Sequence, residues 1–382
     1  MKINELCTPA TLLDLDAAAH NIKKYAESAK RAGKQIWPML KTHKSLELAK
    51  AQAEAGASGF LCGTLDEVEM LCEAGHKNLM YAYPVATDAS IRRVLALSRK
   101  SNFIVRLDTE EAAAALDRAA AEESTLVNYT IIVDSGFHRF GVKVEQLAAF
   151  AAKMRRYKNL VFKGISTHPG HVYGASSAAD IGRYVADERD TMKRAVAGLK
   201  TVGLVPEIVS SGSTPTFFGT IDAEDINVYH PGNYIFHDVI QLCTDTANEE
   251  ECALRVLTAV ISHPSEDLYI CDAGAKCLGL DQGAHGNTSI KGFGLVKGHP
   301  ELTVEGLSEE VGKIRAHGAT SLKVGDIIEI IPNHSCAAAN LTGYYIGVRG
   351  DEVDHLIKVD AAAIPAERYP SKSKGDPRCV VT

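Results

Sequence analysis

From residue 35 to about residue 240, short apolar, β-rich runs alternate with segments whose apolar residues recur at three- and four-residue spacing, the signature of βα units around a parallel sheet. The runs that predict strands are IWPML (36–40), GFLCG (59–63), NLMYAY (78–83), FIVRLD (103–108), YTIIVD (129–134), VFKGIS (161–166), EIVSS (207–211) and INVYH (226–230). Between them lie helical segments such as LDEVEMLCEAG (65–75), which stops at Gly75 as helices often do. Eight such units most simply close into a (β/α)8 TIM-type barrel over residues 20–243. After about residue 244 the texture changes to glycine-rich turns and short runs (LRVLTAVIS, DLYICDAG, DIIEIIPN, YYIGVRG), which predict a β domain over 244–382. Residues 1–19 are expected to pack with that domain, and the tail SKSKGDPRCVVT reads as loosely structured.

Composition narrows the function classes. The chain of 382 residues is 46% hydrophobic and 23% charged, which excludes disorder and allows a large core. Its 41 basic and 48 acidic residues leave a net charge of −7 with no arginine-rich stripe, so nucleic acid is not an expected partner. No segment approaches the roughly 20 apolar residues of a membrane span, and the first residues carry no signal-peptide stretch. Nine cysteines without a repeating interval argue against a disulfide framework and for a reducing, cytoplasmic setting.

In a parallel barrel, chemistry collects beyond the C-terminal ends of the strands. There the chain places Lys41-Thr42-His43-Lys44 after the first run, Asp134 to Gly141 with Arg139 after the fifth, and Thr167 to Gly174 with His168, His171 and Tyr173 after the sixth. Ser210-Ser211-Gly212-Ser213-Thr214 follows the seventh run and Pro231-Gly232-Asn233-Tyr234 the eighth. Taken alone, Ser-Gly-Ser-Thr before Pro215 is more readily a helix cap; beside Gly232-Asn233 it fits a phosphate site built from backbone N–H groups better. The nucleotide P-loop pattern is absent. A lysine in the barrel mouth can form a Schiff base. Arg139 pairs either with an anionic oxygen of a cofactor or with Asp134, and His168 and His171 either line the cofactor or cap the sixth strand. A lysine, an arginine and a phosphate cradle together describe a pyridoxal phosphate site.

In this order, Lys41-Thr-His-Lys44, TLDEVEMLCEAG, VDSGFHRFGV, THPGHVYG, SSGSTPT and HPGNYIFHD resemble the fold-type III (alanine-racemase-like) pyridoxal phosphate enzymes, and among them the D-serine dehydratase and D-threonine aldolase family. The resemblance spans nearly the whole chain. It implies that Lys41 holds the cofactor covalently, that Arg139 and Tyr173 surround its ring, and that Ser211, Gly212, Ser213, Thr214, Gly232, Asn233 and Tyr234 lie near its phosphate; His168 is carried with them as a cofactor-lining candidate. The chain departs from the family's Arg-Pro-His before the lysine, carrying Trp37-Pro38-Met39 instead, so Trp37 and Met39 stay outside the predicted site.

Farther on, Pro332-Asn333-His334-Ser335-Cys336 holds a His-x-Cys pair. On an extended segment the two side chains share one face and can bind one zinc, with open positions for water and substrate. The resemblance implies that His334 and Cys336 are metal ligands, cysteine being typical of the dehydratases and aspartate of the aldolases; Ala337 stands where dehydratases often have proline. Asp272 and Asp281, in glycine turns, are explained by turn formation alone. The expected activity is a pyridoxal phosphate- and zinc-dependent lyase that removes water and ammonia from a D-configured 3-hydroxy amino acid, giving a keto acid. The alternative is retro-aldol cleavage of D-threonine or 3-hydroxyaspartate to glycine and an aldehyde. A pyridoxal phosphate carrier or an amino-acid racemase would leave the metal motif without a use. The resemblance also implies a homodimer.

Overall fold

The computed structural model describes residues 1–283, 287 and 289–361, so the predicted loose tail lies outside the described residues. After β1 (Ala10–Asp14), the strands of the first half are β2 (Gln35–Ile36), β3 (Phe60–Cys62), β4 (Asn78–Tyr81), β5 (Asn102–Leu107), β6 (Val127–Asp134), the short β7 (Val142–Lys143), β8 (Leu160–Ser166), β9 (Ile208–Ser211) and β10 (Val228–Tyr229). Their helices are α1 (Leu15–Arg31), α2 (Leu46–Glu54), α3 (Leu65–Glu73), α4 (Asp88–Ser98), α5 (Glu110–Glu122), α6 (Val144–Met154), α7 (Ala178–Thr201), α8 (Phe217–Thr220) and α9 (Val239–Cys243).

Eight of these strands form one parallel sheet in the order β2-β10-β9-β8-β6-β5-β4-β3, with β7 paired to β6. An isolated parallel bridge between Met39 and Leu61 joins its two ends, so the sheet is a nearly closed barrel. Strands covered on both faces read as continuous apolar runs, and β5 is buried at five of its six positions. The helices that cover them start on a repeated device: the hydroxyls of Thr64, Thr87 and Thr109 accept the N3 amides of α3, α4 and α5. Each such cap contributes about 1 kcal/mol. At Gly75 a φ of +92° lets the chain leave α3 where the sequence pattern ends it.

The predicted first strand is shorter than its apolar run. Pro38 has no N–H to give a ladder, and the chain passes from Ile36 into a 3-10 turn at Leu40–Thr42, which carries Lys41.

The remaining strands are β11 (Leu254–Ser265), β12 (Leu268–Cys271), β13 (Leu295–Val296), β14 (Leu302–Leu307), β15 (Gly312–Ala316), β16 (Ile327–Ile331), β17 (Tyr344–Arg349) and β18 (Glu352–Lys358), with the single turns α10 (Ala275–Leu278) and α11 (Ser335–Ala338). They build a second sheet in which β1 lies antiparallel to β11 and parallel to β17. The chain therefore starts in this sheet and enters the barrel through α1. One apolar core runs across both halves, with Tyr345 and Ile357 packed among barrel residues. The Tyr345 hydroxyl, fully buried, donates to the carbonyl of His43 at 2.9 Å. It ties the second sheet to the turn that holds Lys41.

Candidate active site

A cavity of about 190 Å³ opens where the C-terminal ends of the barrel strands meet the second sheet. Lys41, Arg139, His168 and Tyr173 line it from the barrel, Gly212, Ser213, Gly232 and Asn233 from the last two strand loops, and His334 and Cys336 from the second sheet. Of the two candidate lysines, Lys44 is turned aside. It holds a positive φ of 52°, and its ammonium lies 3.9 Å from the buried Glu67, whose other oxygen takes the Gly63 amide at 2.7 Å. Gly63 is itself required, because a Cβ there would stand 2.8 Å from the Cβ of Lys41.

Three predicted residues turn their side chains away from the cavity. The Ser211 hydroxyl donates to Glu188 of α7 at 2.5 Å, because strand alternation sends it to the opposite face from its neighbours. Thr214 stands one layer back, accepting the Tyr234 amide at 3.1 Å and hydrogen bonding to Tyr173. Tyr234 packs against Tyr25, and its hydroxyl accepts from Gln52 at 2.9 Å. The helix expected from Pro215 is only the single turn α8 from Phe217. His171 packs against Phe137 and Tyr184 outside the cavity.

The choice left open for Arg139 resolves against Asp134, whose carboxylate is taken by His138 at 2.8 Å. The Arg139 guanidinium instead lies over the ring of Phe137, 4.6 Å from its centroid. His168 donates from Nδ1 to the Gly212 carbonyl at 2.7 Å, since a carbonyl can only accept. Burial, with Lys41 and Arg139 nearby, pulls its pKa down to about 3, so the ring stays neutral.

Sequence reasoning missed Arg106, His230, Asp238 and Asn340. Arg106 on β5 and His230 after β10 both line the cavity. Arg106 is 3% exposed, with Nε on the Met80 sulfur and Nη2 unpartnered, and burial lowers its pKa to about 9. A charged residue inside the apolar run FIVRLD was the available signal. His230 donates from Nδ1 to the Trp37 carbonyl at 2.8 Å and leaves Nε2 buried without a partner. Trp37 lies outside the cavity wall; Met39 lies in it.

His334 and Cys336 do reach one space, but the segment is not extended as expected. The chain leaves β16 at Ile331, and His334 caps α11, whose first turn contains Cys336. The segment is clipped to the barrel twice. Asp238 accepts the Ser335 amide at 2.8 Å and the Asn233 side-chain amide at 2.5 Å. Asn340 donates to the carbonyls of Cys336 at 2.8 Å and Lys41 at 3.2 Å. Burial alone would raise the Cys336 thiol, but hydrogen bonding to His334 and the charges of His334 and Lys41 bring it below its ordinary value. Burial likewise opposes charge on His334, and Asp281, Cys336 and Asp238 together outweigh it and raise its pKa well above the usual value. Asp281 is thus more than a turn former: its carboxylate lies 3.5 Å from His334 Nδ1. Asp272 stays structural, accepting from Thr8, Thr258 and the Ala259 amide.

These features fit the two implied groups. Arg106 Nη2, His230 Nε2 and Asn233 Oδ1 are buried polar atoms with no protein partner, as a wall facing a polar ligand has. A Cβ at Gly232 would come within 3.1 Å of Thr42 Oγ1 and of the Met39 Cβ, so glycine keeps that backbone uncrowded. No group of three His, Cys, Asp or Glu residues that could hold a metal occurs among the described residues. One imidazole and one acidified thiol remain, a donor pair that suits zinc and leaves positions open.

Behind the phosphate-side loop, Glu188 carries its own consequence. Burial pushes its pKa up to about 7 against hydrogen bonds from Ser211 and Thr216. A raised carboxyl keeps a proton in the folded state that the unfolded chain releases, so its contribution to stability is complete below about pH 4.5 and is lost as pH rises through 7. Denaturant unfolding of Glu188→Gln is expected to lack this decline, on the order of 3 kcal/mol in native protein; an unchanged pH slope would show that Glu188 does not hold the proton.

Residues 13–238 match the alanine racemase N-terminal domain, and residues 253–348 match a putative serine dehydratase domain. The chain is 30% identical over 372 residues to 3-hydroxy-D-aspartate aldolase of Paracoccus denitrificans, covering 94% of this chain and 93% of that one. It is 27% identical to D-serine dehydratase of Dictyostelium discoideum, over 91% of this chain and 95% of that one. D-threo-3-hydroxyaspartate dehydratase from Delftia sp. HT23 has a solved structure that superposes with a TM-score of 0.86 at 28% identity, covering 94% of this chain and 98% of that one. A D-threo-3-hydroxyaspartate dehydratase has also been solved as a cysteine-to-alanine variant in a metal-free form. No helix among the described residues is long and apolar enough to cross a membrane.

Proposed function

Because this chain belongs to the fold-type III pyridoxal phosphate enzymes that join an alanine racemase N-terminal domain to a serine dehydratase domain, we propose that it is a lyase that dehydrates a D-configured 3-hydroxy amino acid, with zinc as its metal. The observation that carries the proposal is that Lys41 and the His334/Cys336 pair line one cavity and are joined through Asn340. A racemase or a carrier needs the lysine but has no use for a thiol and an imidazole beside it.

When bound, pyridoxal phosphate supplies an electron sink for the pair left at Cα, and the metal supplies a Lewis acid for the leaving hydroxyl. Lys41 would hold the cofactor and, once substrate replaces it, use its freed Nζ to take the Cα proton. Ser213 and the backbone at Gly212, Gly232 and Asn233 would hold the phosphate, with Ser211, Thr214 and Tyr234 supporting those loops from behind. Arg139, His168 and Tyr173 would orient the ring, and His168, being neutral, adds no charge beside it. Arg106 and Arg139 line the cavity, which suits a substrate carboxylate, while the carboxylates of Glu67 and Asp281 lie in the adjoining space. Asp238, through Ser335 and Asn233, keeps the metal donors in place over the lysine.

A reducing cytoplasmic setting and a homodimer complete the proposal; the eight described cysteines are all free, which supports the first. Retro-aldol cleavage is the second reading, favoured by the identity to the Paracoccus aldolase, and it uses the same site. Incubation with D-serine and D-threonine separates them. Keto acid and ammonia are the expected products, and glycine as the only product would overturn the dehydratase reading.

A further inference from the structure

We propose that Asp281 is a positioning residue for the metal donors, holding the His334 ring by Nδ1 so that Nε2 is the nitrogen presented to the metal beside the Cys336 thiol. The inference rests on the metal reading above and concerns how this chain builds that site.

Asp281 follows α10 in a loop far from His334 in sequence, yet its Oδ1 lies 3.5 Å from His334 Nδ1. The approach is built from both sides. On the strand side, Asn333 directly precedes His334 and is 1% exposed. It gives one side-chain N–H to the carbonyl of Asp281 itself and the other to the carbonyl of Gly292, both at 2.8 Å. A buried amide that commits both donors to these two carbonyls fixes Asp281 and Gly292 against the strand end that bears His334. On the loop side, Gly279 turns the chain at a φ of +75°, and a Cβ there would meet Asp281 Oδ2 at 3.3 Å.

The chemistry follows from the imidazole having two distinct nitrogens. A carboxylate facing Nδ1 retains the proton there, leaves the Nε2 lone pair for a cation and makes that nitrogen more basic. The ring is also prevented from rotating, which matters where only two protein ligands are at hand. Asn233 and Thr42 approach the Cys336 sulfur at 3.7 and 3.3 Å, so each donor has its own support.

Asp281→Ala and Asp281→Asn, purified with cofactor, test this by zinc content after dialysis against graded chelator, with cofactor absorbance recorded on the same samples. Zinc dissociation is expected to rise about 10- to 100-fold in Asp281→Ala and less in Asp281→Asn, whose amide oxygen still accepts. Cofactor absorbance should be unchanged, and excess zinc should restore turnover. Asp281→Ala that holds zinc as tightly as native protein, or that loses cofactor together with zinc, would overturn the inference. So would a zinc-loaded crystal structure with an Asp281 oxygen bonded to the metal. Native protein that binds no zinc would instead remove the metal reading, and this inference with it.

Discussion

Lys41→Ala is expected to fold, to lose the visible absorbance of lysine-bound pyridoxal phosphate and to lose lyase turnover by at least about 10³-fold, since it removes both the attachment point and the proposed base. Lys41 is the one lysine lining the main cavity among the described residues. Lys44, three positions on, is the natural control. Its ammonium is committed to Glu67 and its backbone turns at a positive φ, so Lys44→Ala should keep the absorbance. Absorbance retained in Lys41→Ala and lost in Lys44→Ala would reverse the assignment.

Chelation of the metal, or His334→Ala or Cys336→Ala, is expected to lower turnover by about 10²-fold or more while leaving cofactor absorbance intact. The scale follows from a Lewis acid supplying several kcal/mol of transition-state stabilisation, at 1.36 kcal/mol for each tenfold in rate. Cofactor binding should survive because Lys41 and the loops at Gly212 and Gly232 come from the barrel, whereas the donors come from the end of β16. Added zinc should restore the chelated native protein but not the variants. A chelated Cys336→Ala enzyme with full turnover would show that the reaction does not use the metal.

The barrel was legible because its strands are covered on both faces and so appear as mostly apolar runs, as in β5, where Arg106 is the one charged break, and β6. The second sheet was less so. The edge strands β14 and β18, and β15 beside the first of them, carry Glu305, Asp354 and Lys313 at exposed positions, which masks their periodicity. Residues 1–19 were expected against the second domain, but the register in which β1 pairs with Leu254–Leu257 and Ile346–Val348 is not carried by local pattern. The strand-end rule pointed to Lys41, His168 and the glycine loops, and these line the cavity because their position follows from where strands stop. It misjudged Ser211, which points to Glu188, because a small residue at a strand end carries no label for its face. Asp281 and Asn340 were out of reach for another reason: each meets its partner through a contact distant in sequence.

The attachment site itself can be read directly. Borohydride reduction of the purified enzyme converts a C=N bond between cofactor and lysine into a stable amine, which proteolysis and mass spectrometry then assign to one residue. The account predicts a phosphopyridoxyl group on Lys41, at one per chain. A group on Lys44, or none on either lysine in protein isolated with its yellow colour, would contradict it.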